Sequence, residues 1–238
     1  DEADGEIALD NGVLSRDGWA VIDDSGSNVI VEADEVDGKT NPLGTWVRPR
    51  DHAETDIYFF GYGRRYIEAV QDFYTLAGPT PLLPRYALGN WWSRYYRYTQ
   101  TEYLELMDRF KNEGIPFTTS VIDMDWHRVD DVNPKYGSGW TGYSWNSQLF
   151  PDHCAFLRSL HERGLKATLN VHPRDGIRAY EDDYETVAKR VGIDPTTGEA
   201  AEFDLTNPDF VDAYLDMHHR MEDEGVDFWW LDWQQGGV

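Results

Sequence analysis

The sequence lacks the features that define several classes of protein. It contains one cysteine, Cys154, which excludes an internal disulfide framework. No apolar run approaches the roughly 18 residues needed to span a bilayer, so we expect no membrane partner. The first residues, DEADGEIALDNG, carry neither the basic nor the apolar part of a signal peptide, which slightly favours a cytoplasmic location.

Basic side chains are also scarce. The 238 residues include 21 lysines and arginines against 44 acidic residues, for a formal net charge of −23. Because nucleic acids and anionic membranes are bound by basic patches, the composition argues against both as partners.

Aromatic side chains, in contrast, are abundant. They make up 14% of the residues, with ten tryptophans. Tryptophans packed in a large core would explain this content. Sugar binding would also explain it, because flat rings cover the apolar faces of pyranoses while carboxylates accept hydrogen bonds from the hydroxyls. Composition leaves both explanations open.

The hydrophobic pattern changes along the chain. Residues 1 to about 75 contain short alternating runs such as WAVID and NVIVEA, separated by Gly, Asn and Asp turns, which predicts antiparallel β structure. A predicted helix at Arg65–Ala77 is followed by GPTPLLP, which is typical of a linker. We therefore predict one domain at 1–78 and a second at 79–238.

After Pro84 the pattern becomes an alternation of strands and helices. The predicted strands are RYALGNWW, IPFTTSVIDMD, LKATLNVHP and VDFWWLDW. The predicted helices are TQTEYLELMDRFKNEG, HCAFLRSLHERG and NPDFVDAYLDMHHRMEDEG. Strands separated by helices imply an α/β fold with a parallel sheet, either doubly wound or a (β/α) barrel.

Polar side chains close three of the predicted strands. The second strand ends in Asp123 and Asp125, the third in His172 and the fourth in Asp232. Ligands bind at the carboxyl ends of strands in both architectures. Side chains two residues apart in a strand point to the same face. Asp123 and Asp125 therefore share one face of the second strand, and Trp230 and Asp232 share one face of the fourth. We expect these side chains to meet in one pocket.

Asp232 has two interpretations. As an ordinary residue at a strand end, it would cap the next helix or pair with an arginine. The flanking Trp230 and Trp233 would reduce its hydration, which suits a carboxylate that attacks carbon as a glycosidase nucleophile. The residues alone leave both interpretations open.

The motif Asp-Met-Asp at 123–125 also has two interpretations. Such a pair can hold a divalent metal and a nucleotide sugar, as in many glycosyltransferases, or it can accept hydrogen bonds from sugar hydroxyls. The surrounding sequence lacks the further ligands and the basic or Gly-rich segment that the first alternative requires. We therefore favour sugar hydroxyls and expect neither a metal nor a cofactor.

We interpret the cysteine, and the histidines that lie outside the strand ends, as structural rather than functional residues. We expect His161, His218 and His219 on solvated helix faces, and Cys154 buried and inert in an apolar helix. His127 lies near the Asp-Met-Asp motif, but a lone histidine more often makes a hydrogen bond than binds a metal.

Several segments together resemble one enzyme family. Five segments occur in the order and at the spacing seen in glycoside hydrolase family 31. They are PRYALGNWWSRYYRYT, IPFTTSVIDMDWH, WNSQLFPD, LHERGLKATLNVHP and GVDFWWLDW. The stretch before that family's barrel resembles NGVLSRDGWAVIDDS and IYFFGYGRRYIEAVQDFYTLAGPTPLLP. The resemblance covers nearly the whole chain. It implies an α-glycosidase of the α-glucosidase or α-xylosidase type, with a carbohydrate as substrate.

The resemblance implies roles for individual residues. The aspartate of the family's Trp-x-Asp motif, which corresponds to Asp232, is the nucleophile of a retaining mechanism. The first aspartate of its Asp-x-Asp motif corresponds to Asp123 and binds sugar hydroxyls, and Tyr95 lines the same subsite. We expect further contacts to the sugar from Trp230, Asp125, Trp126, His172 and Trp91.

The implied fold is the first half of a (β/α)8 TIM barrel, preceded by the end of a β-sandwich domain. The family's general acid/base is an aspartate in an Arg-x-x-Gly-Asp-like motif on a later strand, and the sequence after Asp232 holds no such motif. We therefore expect the chain to be a fragment that is inactive by itself.

The chain departs from the family pattern around the sugar. Trp-Gln-Gln-Gly at 233–236 stands where the family's α-glucosidases usually have Met-Asn/Ser-Glu-Pro, and EFDLTNPDF replaces a Trp-Pro-Gly segment. Glucose, galactose, xylose and an N-acetylated sugar therefore all remain candidates. A non-catalytic carbohydrate-binding relative is the alternative function, and a homo-oligomer is compatible with either.

Overall fold

The computed structural model describes residues 11–31 and 46–232, and these form parts of two compact units. The described part of the first unit is 11–31 and 46–82, and that of the second is 83–232. This division falls four residues after the predicted boundary. Among the helices within these residues, none has the length and apolarity needed to cross a membrane.

The described residues of the first unit form antiparallel strand pairs and a helix. Strand β1 (Ala20–Asp23) pairs with β4 (Ile57–Phe60), and β2 (Val29–Val31) pairs with β3 (Trp46–Arg48). Helix α1 (Tyr66–Ala77) follows. The predicted antiparallel structure and the predicted helix are thus confirmed for the described residues, and the assignment to a β-sandwich stays a prediction.

The second unit is an alternation of parallel strands and helices. Its described residues contain four strands, β5 (Trp91–Trp92), β6 (Thr119–Ile122), β7 (Lys166–Val171) and β8 (Phe228–Leu231). Its helices are α2 (Gln100–Asn112), α3 (His153–Glu162), α4 (Tyr184–Arg190) and α5 (Pro208–Glu224). The strands pair in parallel in the order β5-β6-β7-β8. This sequential order, without a reversal, is the order of strands in a (β/α) barrel.

Local sequence signals explain where the longest helices begin. Thr99 accepts a hydrogen bond from the Glu102 amide while the Glu102 carboxylate accepts one from the Thr99 amide, which forms a capping box at α2. Asn207 caps α5 through the Asp209 amide, and Pro208 occupies the first turn, where its missing N–H costs nothing. The predicted strand RYALGNWW is shorter than expected, because Arg85–Leu88 forms a 3-10 turn.

One face of the sheet packs on the helices. Tyr103 of α2 donates a hydrogen bond from its hydroxyl to the Val121 carbonyl at 2.8 Å and accepts one from Ser120 Oγ at 2.9 Å. Ala167 and Leu169 of β7 are fully buried on this side. The core therefore lies between the sheet and helices α2, α3 and α5.

The opposite face of the sheet is concave. Trp91 of β5 contacts Phe228 of β8 with ring centroids 5.2 Å apart, although three strand spacings of about 4.8 Å separate these strands in a flat sheet. The sheet therefore curves towards this face, as half of a barrel would.

Candidate active site

Three polar side chains lie together at the carboxyl ends of adjacent strands. Asp123 follows β6, His172 follows β7 and Asp232 follows β8. His172 Nε2 is 3.8 Å from Asp232 Oδ2, and Asn170 Nδ2 donates to Asp123 Oδ1 at 2.7 Å. The Asp232 amide donates to the Val171 carbonyl at 2.8 Å and so continues the strand ladder. The structure thus brings Asp123, His172 and Asp232 to one edge of the sheet.

His172 is the buried member of this group. Its side chain is only 4% exposed, whereas that of Asp232 is 39% exposed. Burial lowers the pKa of His172, although the neighbouring Asp232 and Asp123 act in the opposite direction. The imidazole is therefore neutral at pH 7 and available as a hydrogen-bonding group beside the Asp232 carboxylate.

Asn170 supports Asp123 from the neighbouring strand. It is 3% exposed, and its Oδ1 has no hydrogen-bond partner within the described residues. An unpartnered buried oxygen is costly and is suited to accept a hydrogen bond from a ligand. Sequence reasoning missed Asn170, although the period of two in LKATLNVHP places it on the face of His172.

Asp125 differs from Asp123 in both backbone and partners. Strand β6 ends at Ile122, and Asp125 has a left-handed φ of 60°, so the predicted strand alternation to Asp125 is wrong. Asp125 lies 3.6 Å from Arg97 Nη1, which also pairs with Asp130. Burial raises the pKa of Asp125, and Arg97 opposes that rise.

Asp123 and Asp125 have different hydrogen-bond and ion-pair partners, which concerns the alternative in which they hold a divalent metal together. Asp123 bonds to Asn170, whereas Asp125 pairs with Arg97. In residues 11–31 and 46–232, no three His, Cys, Asp or Glu side chains are arranged to hold a metal ion. The two aspartates of the Asp-Met-Asp motif therefore have different partners in the described residues.

Trp126 is a packing residue. It is fully buried, contacts the Trp145 ring at 5.2 Å and donates from Nε1 to the Asn170 carbonyl at 2.8 Å. The expected sugar contact is therefore a misassignment, because the left-handed turn at Asp125 directs this ring into the protein. Its hydrogen bond instead fixes the backbone of Asn170.

Trp91 also lies away from the three strand ends. It pairs with Thr119 at the start of β6 and contacts Phe228 at the start of β8. Asp232 is four residues beyond Phe228, about 13 Å along the strand. The sequence prediction of a sugar contact is thus corrected, since Trp91 is at the opposite end of the sheet.

Trp230 and Trp229 point to opposite faces of β8. Trp229 donates to Glu222 Oε1 at 2.8 Å and contacts the His218 ring, so it faces α5. Trp230 is therefore on the concave face with Asp232, where it is 40% exposed. This geometry agrees with the predicted alternation. Trp233, the other predicted flanking ring, lies outside the described residues.

Tyr95 and a second ring form a side of the site. Tyr95 is 64% exposed and contacts Trp140 edge-on, with ring centroids 6.1 Å apart. Trp140 in turn lies 5.5 Å from the His172 ring and is 40% exposed. Sequence reasoning missed Trp140. The glycines around it in GSGWTG were the available signal, because such a loop lets backbone segments approach closely.

The burial of the histidines and the cysteine outside the site agrees only in part with the sequence prediction. His161 and His219 are exposed and contact Asp227 and Glu222. His218 is 4% exposed, and burial lowers its pKa to about 4, so the surface prediction was wrong for it because this face of α5 packs on the sheet. Cys154 is only partly buried. His127 is fully buried and makes the expected type of contact, to the Arg128 carbonyl.

The curved parallel sheet with sequential strand order defines a protein of the (β/α)-barrel class, and its polar cluster lies at the carboxyl edge, where barrels of this class bind their ligands. The model for the glycosyl hydrolases family 31 TIM-barrel domain matches residues 80–236. The chain therefore belongs to glycoside hydrolase family 31.

Relatives by sequence are longer proteins. An α-xylosidase of Saccharolobus solfataricus is 24% identical over 199 residues, which cover 82% of this chain and 24% of that protein. Alpha-glucosidase 2 of Bacillus thermoamyloliquefaciens is 25% identical over 199 residues, which cover 77% of this chain and 23% of the relative. The chain thus spans about a quarter of the length of these relatives.

Solved structures share the fold. A xylosidase from Aspergillus niger superposes with a TM-score of 0.61 at 18% identity, covering 92% of this chain and 30% of that one. A family 31 α-xylosidase from a soil metagenome, solved with xylose, has a TM-score of 0.58 at 21% identity, covering 82% and 29%.

Proposed function

We propose that this chain is part of a retaining α-glycoside hydrolase in which Asp232 is the nucleophile. The observation that carries the proposal is the position of Asp232, at a strand end with its carboxylate partly exposed and 3.8 Å from a buried histidine. Membership of family 31 supports it, as do relatives that are named α-xylosidase and α-glucosidase.

The proposed reaction has two displacements. An Asp232 oxygen attacks the anomeric carbon while the bond from that carbon to the leaving oxygen breaks and a general acid protonates that oxygen. Water then attacks the same carbon of the glycosyl ester, loses its proton to the same acid/base and frees the Asp232 carboxylate. Two inversions give net retention of the α configuration.

The proposed substrate is the terminal α-linked sugar of an oligosaccharide or glycoside. Asp123 would accept hydrogen bonds from its hydroxyls, with Asn170 and His172 as neighbouring polar groups. Tyr95, Trp140 and Trp230 offer partly exposed rings for its apolar faces.

We assign the role of general acid/base to no residue within 11–31 and 46–232. A TIM barrel closes with eight strands, whereas the described sheet has four, with β5 and β8 at its two edges. We therefore propose that the isolated chain does not turn over substrate and that activity belongs to a full-length natural protein. Hydrolysis of an aryl α-glycoside by the isolated chain would contradict this.

The test uses the full-length protein and its Asp232→Ala variant. We expect kcat to fall by about three orders of magnitude or more with sugar binding largely kept, because the nucleophile acts mainly in the transition state. Proton NMR of the wild-type reaction should show the α anomer as the first product. Asp216→Asn is the matched control, since Asp216 is an exposed carboxylate on α5 that pairs with Arg190.

Other outcomes point to other functions. An Asp232→Ala variant that behaves like the wild type would favour the non-catalytic carbohydrate-binding relative. A first product of the β anomer would exclude retention. Transfer of the sugar to a second sugar, rather than to water, would fit a relative from Sporosarcina globispora that is named 1,6-alpha-glucosyltransferase, 26% identical over 133 residues that cover 55% of this chain and 10% of that protein.

A further inference from the structure

Trp140 is an exposed ring on a loop that is held by close backbone contacts. The loop that follows β6, residues 123–152, carries Trp140 between Tyr95 and His172. A Cβ at Gly139 would lie 2.1 Å from the Val129 carbonyl oxygen, and one at Gly142 would lie 2.6 Å from His127 Nδ1. Both glycines are therefore needed for backbone packing that draws the loop around Trp140 onto the protein.

The neighbouring loop holds the backbone on both sides of this ring. Tyr180 follows β7 and is 8% exposed. Its hydroxyl lies 3.0 Å from the Ser138 carbonyl oxygen and 2.8 Å from that of Thr141. A hydroxyl carries one proton, so the two carbonyls share a single donor. They belong to residues on either side of Trp140, and the contact therefore fixes the backbone of the ring.

Further hydrogen bonds join the loop after β6 to the loop after β7. Glu181 accepts hydrogen bonds from Ser144 Oγ at 2.6 Å and from the Tyr143 amide at 3.1 Å. Arg128 donates from Nη1 to the Tyr180 carbonyl at 2.8 Å. The two Glu181 contacts are buried, which makes them costly to break.

We propose that Tyr180 is a positioning residue that fixes Trp140 beside His172, and that the fixed ring decides which sugars the site accepts. The second part rests on the function proposed above. Tyr180 itself acts through the backbone at Ser138 and Thr141, whereas Trp140 presents its ring at the strand ends that hold Asp123 and Asp232.

The kinetic test compares Trp140→Ala, Tyr180→Phe and the double variant in the full-length protein, with aryl α-glycosides of several sugars. Each single variant should raise KM for the best substrate about tenfold, shift sugar preference in the same direction and change kcat less than about threefold. The double variant should be no worse than Trp140→Ala, because the two residues act as one unit. Effects that multiply, or an unchanged KM in Tyr180→Phe, would overturn the proposal.

Tyr184→Phe is the matched control. Tyr184 is 6% exposed and donates to the Glu199 carbonyl at 2.6 Å, so this variant also removes one buried hydroxyl from a backbone contact. The contact does not involve the loop of Trp140. KM should stay within about twofold of the wild type. A shift as large as that of Tyr180→Phe would mean a general loss of stability rather than positioning.

A second measurement needs no turnover. Fluorinated tryptophan is incorporated, and the fluorine resonance of Trp140 is assigned from its loss in Trp140→Phe. We expect this resonance to move and broaden in Tyr180→Phe and to stay in place in Tyr184→Phe. An unmoved resonance in both would overturn the positioning role. If no aryl α-glycoside were hydrolysed by the wild type, the proposed function would fail while this result still decided the positioning.

Discussion

The two sides of the candidate site are built in different ways. One side consists of the loops after β6 and β7, where buried groups such as Tyr180 and Glu181 hold the backbone by hydrogen bonds. The other side is strand β8, an edge of the described sheet on which Trp230 and Leu231 are each 40% exposed. The nucleophile proposed here, Asp232, lies at the end of the exposed strand.

This difference means that the two sides of the site differ in how much of their packing comes from the described residues. The first side already has the packing that fixes side-chain geometry, so Asp123 and His172 are positioned by residues of this chain. On the second side β8 is exposed, as expected if further strands of the barrel pair with it in the proposed full-length protein. Substitutions on the two sides should therefore respond differently to the presence of the full-length protein.

The largest effect expected on the first side of the site concerns Asp123. Asp123→Ala in the full-length protein should lower kcat/KM about a thousandfold, about 4 kcal/mol of transition-state binding, because it removes an acceptor for sugar hydroxyls. Asp125→Asn should stay within about tenfold, since Asp125 pairs with Arg97 and asparagine tolerates its left-handed backbone. Equal losses in both variants would show that the two aspartates share one role.

A pair of leucines tests the cover of β8. Leu169 of β7 is fully buried, so Leu169→Ala should cost about 2–5 kcal/mol of unfolding free energy. If the rest of a barrel covers β8 in the full-length protein, Leu231→Ala should cost nearly as much in denaturant titrations. A cost below about 0.5 kcal/mol for Leu231→Ala would show that β8 stays as exposed as it is here.

Glu181 gives the first side a pH dependence. Burial raises its pKa from 4.5 to about 7, although the Ser144 and Tyr143 hydrogen bonds favour the charged form. The folded state therefore binds the proton more tightly, so the contribution of Glu181 to stability is fully present below pH 4.5 and is lost as pH rises through 7, a change of up to about 3 kcal/mol. Glu181→Gln should flatten this slope in unfolding curves measured from pH 4.5 to 8. An unchanged slope would assign the dependence to other groups.

Much of this arrangement could be predicted from sequence. The 3.6-residue and two-residue periods identified α2, α3, α5 and the alternation in β8, and the strand ends identified Asp123, His172 and Asp232. Asp125 and Trp126 were misplaced because β6 ends at Ile122 and the backbone then turns through a left-handed residue at Asp125, which no periodicity signals.

The remaining misses involve long-range contacts. Trp91 lies at the far end of the sheet because the first strand is only two residues long. Trp140 reaches the site through a loop that is held by Tyr180, 40 positions away in the sequence. Contacts between separate loops are set by tertiary packing, and local sequence patterns do not encode them.

The most direct test of the account is to trap the covalent intermediate. The full-length protein would be incubated with an activated fluorinated α-glycoside that forms the glycosyl ester quickly and hydrolyses it slowly, then digested and analysed by mass spectrometry. The account predicts one labelled peptide, with the sugar on Asp232. A label on another carboxylate, or inactivation without any covalent label, would contradict the assignment of Asp232 as the nucleophile.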